Sequence, residues 1–131
     1  MRIRLNSVHV KNQADALAFY TGILGFEKKM DLPLGEEFRW LTVVSPEEPD
    51  AAQLLLEPNS HPAASAYQAA LFEDGIPVAS FEVPNVDGEF ARLSALGVRF
   101  TAEPVDVGGS KIAVFDDTCG NLIQMYEVAD E

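Results

Sequence analysis

Few residues of this chain have the chemistry of a catalytic or metal-binding group. It contains two histidines, His9 and His61, and one cysteine, Cys119. Two interpretations stay open for His9, a general base or hydrogen-bond donor facing a ligand, or a partly solvated residue at a strand end. His61 precedes a proline at a predicted helix start, which indicates a surface or capping role. Cys119 lies in a turn with acidic neighbours and no adjacent base, so its position favours an incidental turn residue.

A second group of candidates is polar rather than ionisable. In an alternating strand, Ser7 lies on the same face as His9, and Ser80 has the matching position later in the chain. Gln124 and Tyr126 share a face of the last predicted strand. All of these side chains are predicted to line a ligand site with hydrogen-bonding groups, and a closed polar cluster is the alternative.

Arg39 and Trp40 are neighbours in a predicted strand and therefore point to opposite sides. Arg39 would bind a carboxylate or phosphate, whereas Trp40 would stack on a flat ligand. The pattern predicts that one of the two lines the site, and it does not decide which one.

These candidates are positioned by a β-α-β-β-β unit. Residues 3–10 alternate as a strand, and Asn12 with Asp15 is typical of a capped helix start. Apolar residues at helical spacing follow up to Gly25, which predicts the helix end. The remaining strands of the unit are predicted at residues 26–32, 37–44 and 53–57.

The same order of elements returns after a connector helix predicted at residues 63–71. Residues 78–83 form a strand, Asn85 or Asp87 caps a helix that ends at Gly97, and three strands follow at 98–104, 111–115 and 121–127. The predicted divisions are module one at about 1–58, a connector at about 59–77 and module two at about 78–131.

The repeat is visible in the spacing of corresponding residues. The Leu24-Gly25 and Leu96-Gly97 pairs are 72 positions apart, whereas Val10 and Val83 are 73 apart, so the two helices differ by one residue. The predicted fold class is α+β: two tandem βαβββ modules that form a curved half-barrel cup, with the helices on the outer face. A cup between two symmetric halves is a natural place for a small molecule.

Composition excludes several classes of partner. The chain has 131 residues and a formal net charge of −12, with no basic stripe, so neither nucleic acid nor an anionic membrane surface is an expected partner. No segment has the length and apolarity of a membrane span or the pattern of a signal peptide. With its single cysteine, the protein is expected to be cytoplasmic.

Several motifs together resemble the vicinal oxygen chelate superfamily, the glyoxalase, bleomycin resistance protein and extradiol dioxygenase fold. In module one they are Val10-Lys11-Asn12, Ala18-Phe19-Tyr20 and Leu24-Gly25-Phe26. In module two they are Phe81-Glu82-Val83, Leu96-Gly97-Val98 and the run Asp117-Thr118-Cys119-Gly120-Asn121. The resemblance covers nearly the whole chain and implies the fold, a homodimer and a site in the cup. It does not imply one reaction, since this fold hosts many functions.

The resemblance also implies four metal-ligand positions, which metalloenzymes of the family fill with His, Gln or Glu. Here those positions are Leu5, Leu54, Val78 and Gln124, with one residue of uncertainty at Leu54. Aliphatic side chains have no lone pair to offer a cation, and one neutral amide is a poor site for a divalent ion. We therefore expect no metal and no other cofactor.

Three hypotheses for function remain open. The first is a metal-independent protein that binds a small, aromatic or anionic compound in the cup, as the bleomycin-binding relatives do. The second is a glyoxalase-like enzyme, of lyase, isomerase or dioxygenase type, that uses His9, Gln124 or a displaced metal. The third is a dimeric interaction module whose cup is filled by side chains.

Overall fold

A computed structural model describes residues 1–128 of the chain. The last three residues of the predicted module two, 129–131, lie outside the described part. The chain divides into two compact units, Met1–Gln68 and the residues from Ala69 onward, so that the division falls inside the connector helix.

Each unit contains one strand, one helix and then three further strands. In the first unit these are β1 (Leu5–Val10), α1 (Gln13–Leu17) with a π-helical extension (Ala18–Ile23), β2 (Glu27–Leu34), β3 (Phe38–Val44) and β4 (Gln53–Pro58). The connector helix is α2 (Pro62–Glu73). In the second unit they are β5 (Ala79–Glu82), α3 (Val86–Ala95), β6 (Val105–Asp106), β7 (Ser110–Asp116) and β8 (Leu122–Val128).

The two sheets have the same topology. Their strand orders are β1-β4-β3-β2 and β5-β8-β7-β6. In each sheet the first pair, β1 with β4 or β5 with β8, is parallel, and the other neighbours are antiparallel. The predicted α+β class and the tandem βαβββ modules are confirmed, and we use the names module one and module two for the two units.

The N-terminal caps of α1 and α3, the helices of the two modules, are equivalent. The side-chain oxygen of Asn12 accepts a hydrogen bond of 2.9 Å from the backbone N–H of Asp15. Asn85 accepts one of 2.7 Å from the N–H of Gly88, so Asn85 rather than Asp87 is the cap of α3. Both bonds satisfy a backbone donor of the first helical turn that has no partner within the helix.

The extra residue of the module-one helix takes the form of a π-helix. The N–H of Leu24 bonds to the carbonyl of Phe19, five residues back, at 3.0 Å. In α3 the N–H of Leu96 reaches the carbonyls of Arg92 and Leu93 instead. A π-helical turn absorbs one inserted residue without shifting the flanking segments, and Gly25, with φ of +93°, then ends the helix as predicted.

Each sheet buries one face under its helix. In module one, Val8, Val10, Leu41 and Leu56 are buried on the side of α1, which contacts β3 and β4. In module two the corresponding face is covered by α3, which contacts β7 and β8; its buried residues are Ala113, Phe115, Ile123 and Met125. We call the opposite side of each sheet its open face.

One predicted strand is wrong. Residues 98–104 form only an isolated bridge, Phe100 with Phe115, and the edge strand β6 is limited to two residues further on. Phe100 instead packs its ring between Phe90 and Phe115, at centroid distances of 4.6 and 5.7 Å.

Candidate functional site

On module one, strand register places His9 beside an acid. β1 and β4 pair in parallel with Ser7 opposite Leu55 and His9 opposite Glu57, so these four side chains are on the open face. The Nε2 atom of His9 lies 3.6 Å from a carboxylate oxygen of Glu57, and both side chains are partly exposed. Sequence reasoning missed Glu57, because it lies 48 residues after His9 in the chain and nothing local signals the pairing.

The end of β1 is tied to the connector helix. The buried Gln68 donates a 2.8 Å hydrogen bond to the backbone carbonyl of His9 and accepts one of 2.7 Å from Asn59. These bonds hold the His9 backbone in place, so the position of the imidazole is limited to its own rotamers. The predicted capping role of His61 is confirmed, since its Nδ1 atom accepts from the N–H of Ala63 at 3.0 Å.

The structure separates Arg39 from Trp40. The Arg39 guanidinium donates from Nε and Nη2 to both carboxylate oxygens of Asp31, at 2.9 and 2.8 Å. This hydrogen-bonded pair lowers the pKa of Asp31 to about 2. Arg39 pairs with Pro33 and lies on the helix-covered side, whereas Trp40 pairs with Leu32 on the open face with Ser7 and His9. Trp40 is therefore the member of the pair that shares the open face.

A glutamine from α1 joins β3 to β4 where their ladder stops. The two strands pair only over Thr42–Val44 on β3. Beyond this point the buried Gln13 donates from Nε2 to the carbonyls of Arg39 and Leu56, at 2.7 and 2.8 Å. Its Oε1 atom accepts from the N–H of Arg39 at 3.0 Å. Sequence analysis gave Gln13 no role, because an amide at the start of a helix is ordinarily a solvated residue.

Next to Trp40 the open face of module one is apolar and exposed. Leu32, Leu34 and Phe38 are 50, 53 and 39% exposed and belong to the paired ends of β2 and β3. Leu5 is 46% exposed at the opposite edge of the sheet. Exposed apolar side chains gathered on one face indicate a contact surface more strongly than single ones scattered over the protein.

On module two, the predicted residues Ser80, Gln124 and Tyr126 share the open face. Ser80 pairs with Gln124, and Glu82 pairs with Tyr126. The Gln124 amide donates from Nε2 to the Ser80 hydroxyl at 2.9 Å. The hydroxyl keeps its own proton available for a second partner, and the Gln124 carbonyl oxygen is an acceptor.

Strand register corrects one of the four positions implied for a metal. Ser7 pairs with Leu55 in module one, as Ser80 pairs with Gln124 in module two, so Leu55 rather than Leu54 corresponds to Gln124. Leu54 pairs with Asn6 and lies on the other face from Leu5. The corrected positions, Leu5, Leu55, Val78 and Gln124, still provide one oxygen donor, and these residues do not fit a divalent metal.

Elsewhere in the part that the structure describes, no three His, Cys, Asp or Glu side chains lie close enough together to hold a metal ion. The Asp117 carboxylate, a candidate by type, accepts from the N–H groups of Cys119 and Asn121 at 2.8 and 3.0 Å and from the Asn121 amide at 2.9 Å. These bonds make the carboxylate part of the turn before β8.

Comparison with known families agrees with this architecture. Residues 4–125 match the Glyoxalase/Bleomycin resistance protein/Dioxygenase superfamily. The chain belongs to this superfamily. The resemblance to vicinal oxygen chelate proteins is thereby confirmed.

Three similar proteins show the range of relatives of this chain. YurT of Bacillus subtilis (strain 168), an uncharacterised protein, is 52% identical over 127 residues, which cover 97% of this chain and 99% of YurT. The crystal structure of UcmS2 is 32% identical with a TM-score of 0.82 and covers 96% of this chain and 97% of its own. TnmS3, an antibiotic binding protein from Streptomyces sp. CB03234, is 25% identical with a TM-score of 0.75, covering 98% and 97%.

Within residues 1–128, no helix has the length and apolarity needed to cross a membrane.

Proposed function

We propose that this glyoxalase-superfamily protein binds a small organic molecule against the open faces of its sheets, in the cup that the sequence predicts, and does so without the family metal. The observation that carries the proposal is the exposed apolar surface around Trp40 on module one. The likeness to TnmS3, an antibiotic binding protein, supports an organic ligand of comparable kind.

The open faces offer the two kinds of contact that such a ligand needs. Trp40 with Leu32, Leu34 and Phe38 provides flat and aliphatic surface whose removal from water stabilises a complex by about 25 cal/mol per Å². A few polar groups then orient the ligand, and the open faces contain Ser7 and His9 on β1, and Ser80, Gln124 and Tyr126 in module two.

Trp40 allows a direct test, because it is the only tryptophan in the chain. Titration with a panel of planar aromatic natural products is expected to give saturable quenching of its emission by at least one compound, at one equivalent per chain. By calorimetry, Trp40→Leu is expected to weaken binding about tenfold, the effect of losing one aromatic stacking partner.

Tyr67→Leu is the matched control for that variant. Tyr67 is an aromatic residue on α2, 63% exposed, and it is outside the open faces, so its replacement is expected to leave the affinity unchanged. Saturable binding that Trp40→Leu does not weaken would contradict the proposed place of the ligand, and a complete lack of binding would contradict the proposed function.

The metal-free part of the proposal has its own test. The protein is purified in buffer that contains Zn, Ni, Mn and Fe salts and is then analysed for metal content. Because Leu5, Leu55 and Val78 offer no donor atoms, far less than one equivalent of metal per chain is expected. One equivalent of any of these ions would show that the protein has a site elsewhere.

An enzyme is the second candidate, and the His9–Glu57 pair specifically favours it. A carboxylate 3.6 Å from an imidazole can orient the ring, as in the arrangement of a general base. In this case a bound compound would be converted in the presence of the protein, as followed by mass spectrometry. His9→Gln would abolish turnover and keep affinity, whereas a ligand recovered unchanged indicates binding alone.

We further propose that the protein is a homodimer, as other members of the superfamily are expected to be. The Leu5 side chain, 46% exposed at the edge of the sheet away from β2, is consistent with a further contact surface. Light scattering coupled to gel filtration at micromolar concentration is expected to give twice the 14.3 kDa chain mass, and a mass equal to that of the chain would overturn this proposal.

A further inference from the structure

Apart from His9, the ionisable side chains at paired positions of the open faces are carboxylates. At paired strand positions among the described residues, the open face of module one contains His9, Glu57 and Glu27. That of module two contains Glu82 and Asp116. No lysine or arginine occupies a paired position on either open face in residues 1–128.

Two cations of the sheets, Arg39 and Lys111, lie on the helix-covered sides and have partners. Arg39 is on the helix-covered side of module one, in a two-bond contact with Asp31. Lys111 is on the helix-covered side of module two, where its ammonium lies 2.7 Å from a carboxylate oxygen of Asp87 on α3. The open faces therefore present carboxylates to a ligand, while Arg39 and Lys111 lie on the helix-covered sides.

One acid on module one lies beside the aromatic surface. In the register of β3 and β4, Thr42 pairs with Leu55, so Trp40 would lie opposite Glu57 if the ladder continued. The ladder stops after Thr42, and Gln13 bonds to the backbone there. The open face thus has Trp40 on one side of the divergence of β3 and β4, and Glu57 with His9 on the other.

We propose that an aromatic cation binds on the open face of module one where β3 and β4 separate. Its ring system would lie against Trp40, and its protonated nitrogen would donate a hydrogen bond to Glu57. The inference rests on the proposed function and specifies the class of ligand. The sequence pattern allowed an anionic ligand, a carboxylate or phosphate bound by Arg39, whereas this inference specifies a cationic one.

Three physical effects favour this class over an acidic ligand. The face of an indole ring attracts a cation through its quadrupole. A hydrogen bond between an ammonium and a carboxylate is roughly twice as strong as one between neutral groups. The net charge of −12 raises the local concentration of cations and repels anions.

The test uses three probes of one size and shape: 9-aminoacridine, which is a cation at pH 7, 9-anthracenemethanol, which is neutral, and anthracene-9-carboxylate, which is an anion. Affinities are measured by calorimetry on the full chain. The expected order is cation above neutral above anion, with the cation bound about tenfold more tightly than the neutral probe.

Glu57→Gln removes the charge and keeps the shape of the side chain. It is expected to weaken 9-aminoacridine about tenfold and to leave the neutral probe within about twofold. Glu47→Gln is the matched control, because it removes the same charge from the exposed turn between β3 and β4, at the other end of these strands. Because salt screens the field of a distant surface charge, Glu47→Gln is expected to change the affinities for all three probes by less than about twofold.

The outcomes separate this inference from the function on which it rests. If all three probes bind equally, or if Glu57→Gln weakens the cation no more than Glu47→Gln does, the charge preference is wrong and the organic binding site stands. If no probe binds and no compound of the natural-product panel binds, both proposals are overturned.

Discussion

The two modules share a topology and differ at the same point of each sheet. In module two, β7 and β8 pair continuously over seven residues, Ser110–Asp116 on β7. In module one the equivalent pair, β3 and β4, is limited to three residues, Thr42–Val44 on β3. The duplicated unit thus occurs once with a continuous ladder between its two central strands, in module two, and once with an interrupted ladder, in module one.

The residue that makes this difference is at the start of each helix. Gln13 of module one and Val86 of module two are 73 positions apart, the spacing of Val10 and Val83. Both are buried, but Val86 packs as a core residue, whereas Gln13 makes three hydrogen bonds to the separated strands. The comparison teaches that a helix side chain can replace part of a β-ladder, and that the site around Trp40 depends on this replacement.

Among the substitutions considered, exchanging Gln13 and Val86 is expected to have the largest effect on the free energy of unfolding. Gln13→Val leaves the N–H and carbonyl of Arg39 and the carbonyl of Leu56 without their partner, which should lower the free energy of unfolding by about 3 kcal/mol. The emission maximum of Trp40 should shift, since its preceding residue is no longer held. Urea unfolding and fluorescence measure the two effects.

Val86→Gln is the reciprocal control. It buries an amide beside a complete ladder and should cost about 2 kcal/mol without any change in Trp40 emission. A shift of Trp40 emission of equal size in both variants would show that Gln13 has no special relation to the divided sheet.

A smaller effect is expected from the helix glycines. A Cβ atom added at Gly22, in the π-helical segment of module one, meets no atom within 4 Å, so Gly22→Ala should raise the free energy of unfolding by about 0.5–1 kcal/mol. At Gly88 of module two, the Cβ would approach the capping oxygen of Asn85 to 3.3 Å. Gly88→Ala should therefore give no net gain by urea unfolding; equal stabilisation at both sites would contradict this difference between the helices.

The smallest expected effect is a change in how the stability of the fold depends on pH in the acidic range, through Asp31 of module one. The pKa of Asp31 is about 2 in the folded protein, below its ordinary value of 3.8. Because the pKa of Asp31 is lower in the folded protein, its contact with Arg39 stabilises the fold at pH values above 3.8. This stabilisation is lost as the pH falls from 3.8 to about 2, where the carboxylate becomes protonated in the folded protein as well. Asp31→Asn is expected to lose less stability between about pH 5 and pH 2 than the natural chain.

Lys111 provides the comparison in module two. Its raised pKa has the opposite sign, since Asp87 favours the charged ammonium. Lys111→Met is therefore expected to leave the acid dependence between pH 5 and pH 2 closer to that of the natural chain than Asp31→Asn does. Circular dichroism across the pH range measures both variants, and identical acid profiles for Asp31→Asn and the natural chain would contradict the role of the Arg39 pair.

Much of the architecture was predictable because it follows from local patterns. Asn12 and Asn85 as helix caps, Gly25 as the helix end and the spacing of the two helices are written in adjacent residues, and they led to the family and to the repeated modules. The exception was residues 98–104, where the packing of Phe100 between two rings overrode a β-branched sequence.

The site was less predictable, because its residues meet through strand pairing. Ser7, His9, Ser80, Gln124 and Tyr126 were placed on shared faces by simple alternation. Glu57 and Gln13 were missed, since each acts on a strand distant in the sequence. Alternation alone could not decide between Arg39 and Trp40. It shows that neighbouring side chains point to opposite faces of a strand, but not which face is covered by the helix.

By itself, the sequence determined the duplication, the family and the lack of donor atoms at three of the four inherited metal positions. Those features depend on residue types and on spacing along the chain. The tertiary structure decided that Trp40 rather than Arg39 shares the open face, that Glu57 lies beside His9, and that Gln13 bridges β3 and β4 where their ladder stops. The reason is that strand register and the side covered by a helix arise from contacts between distant segments, which local patterns do not encode.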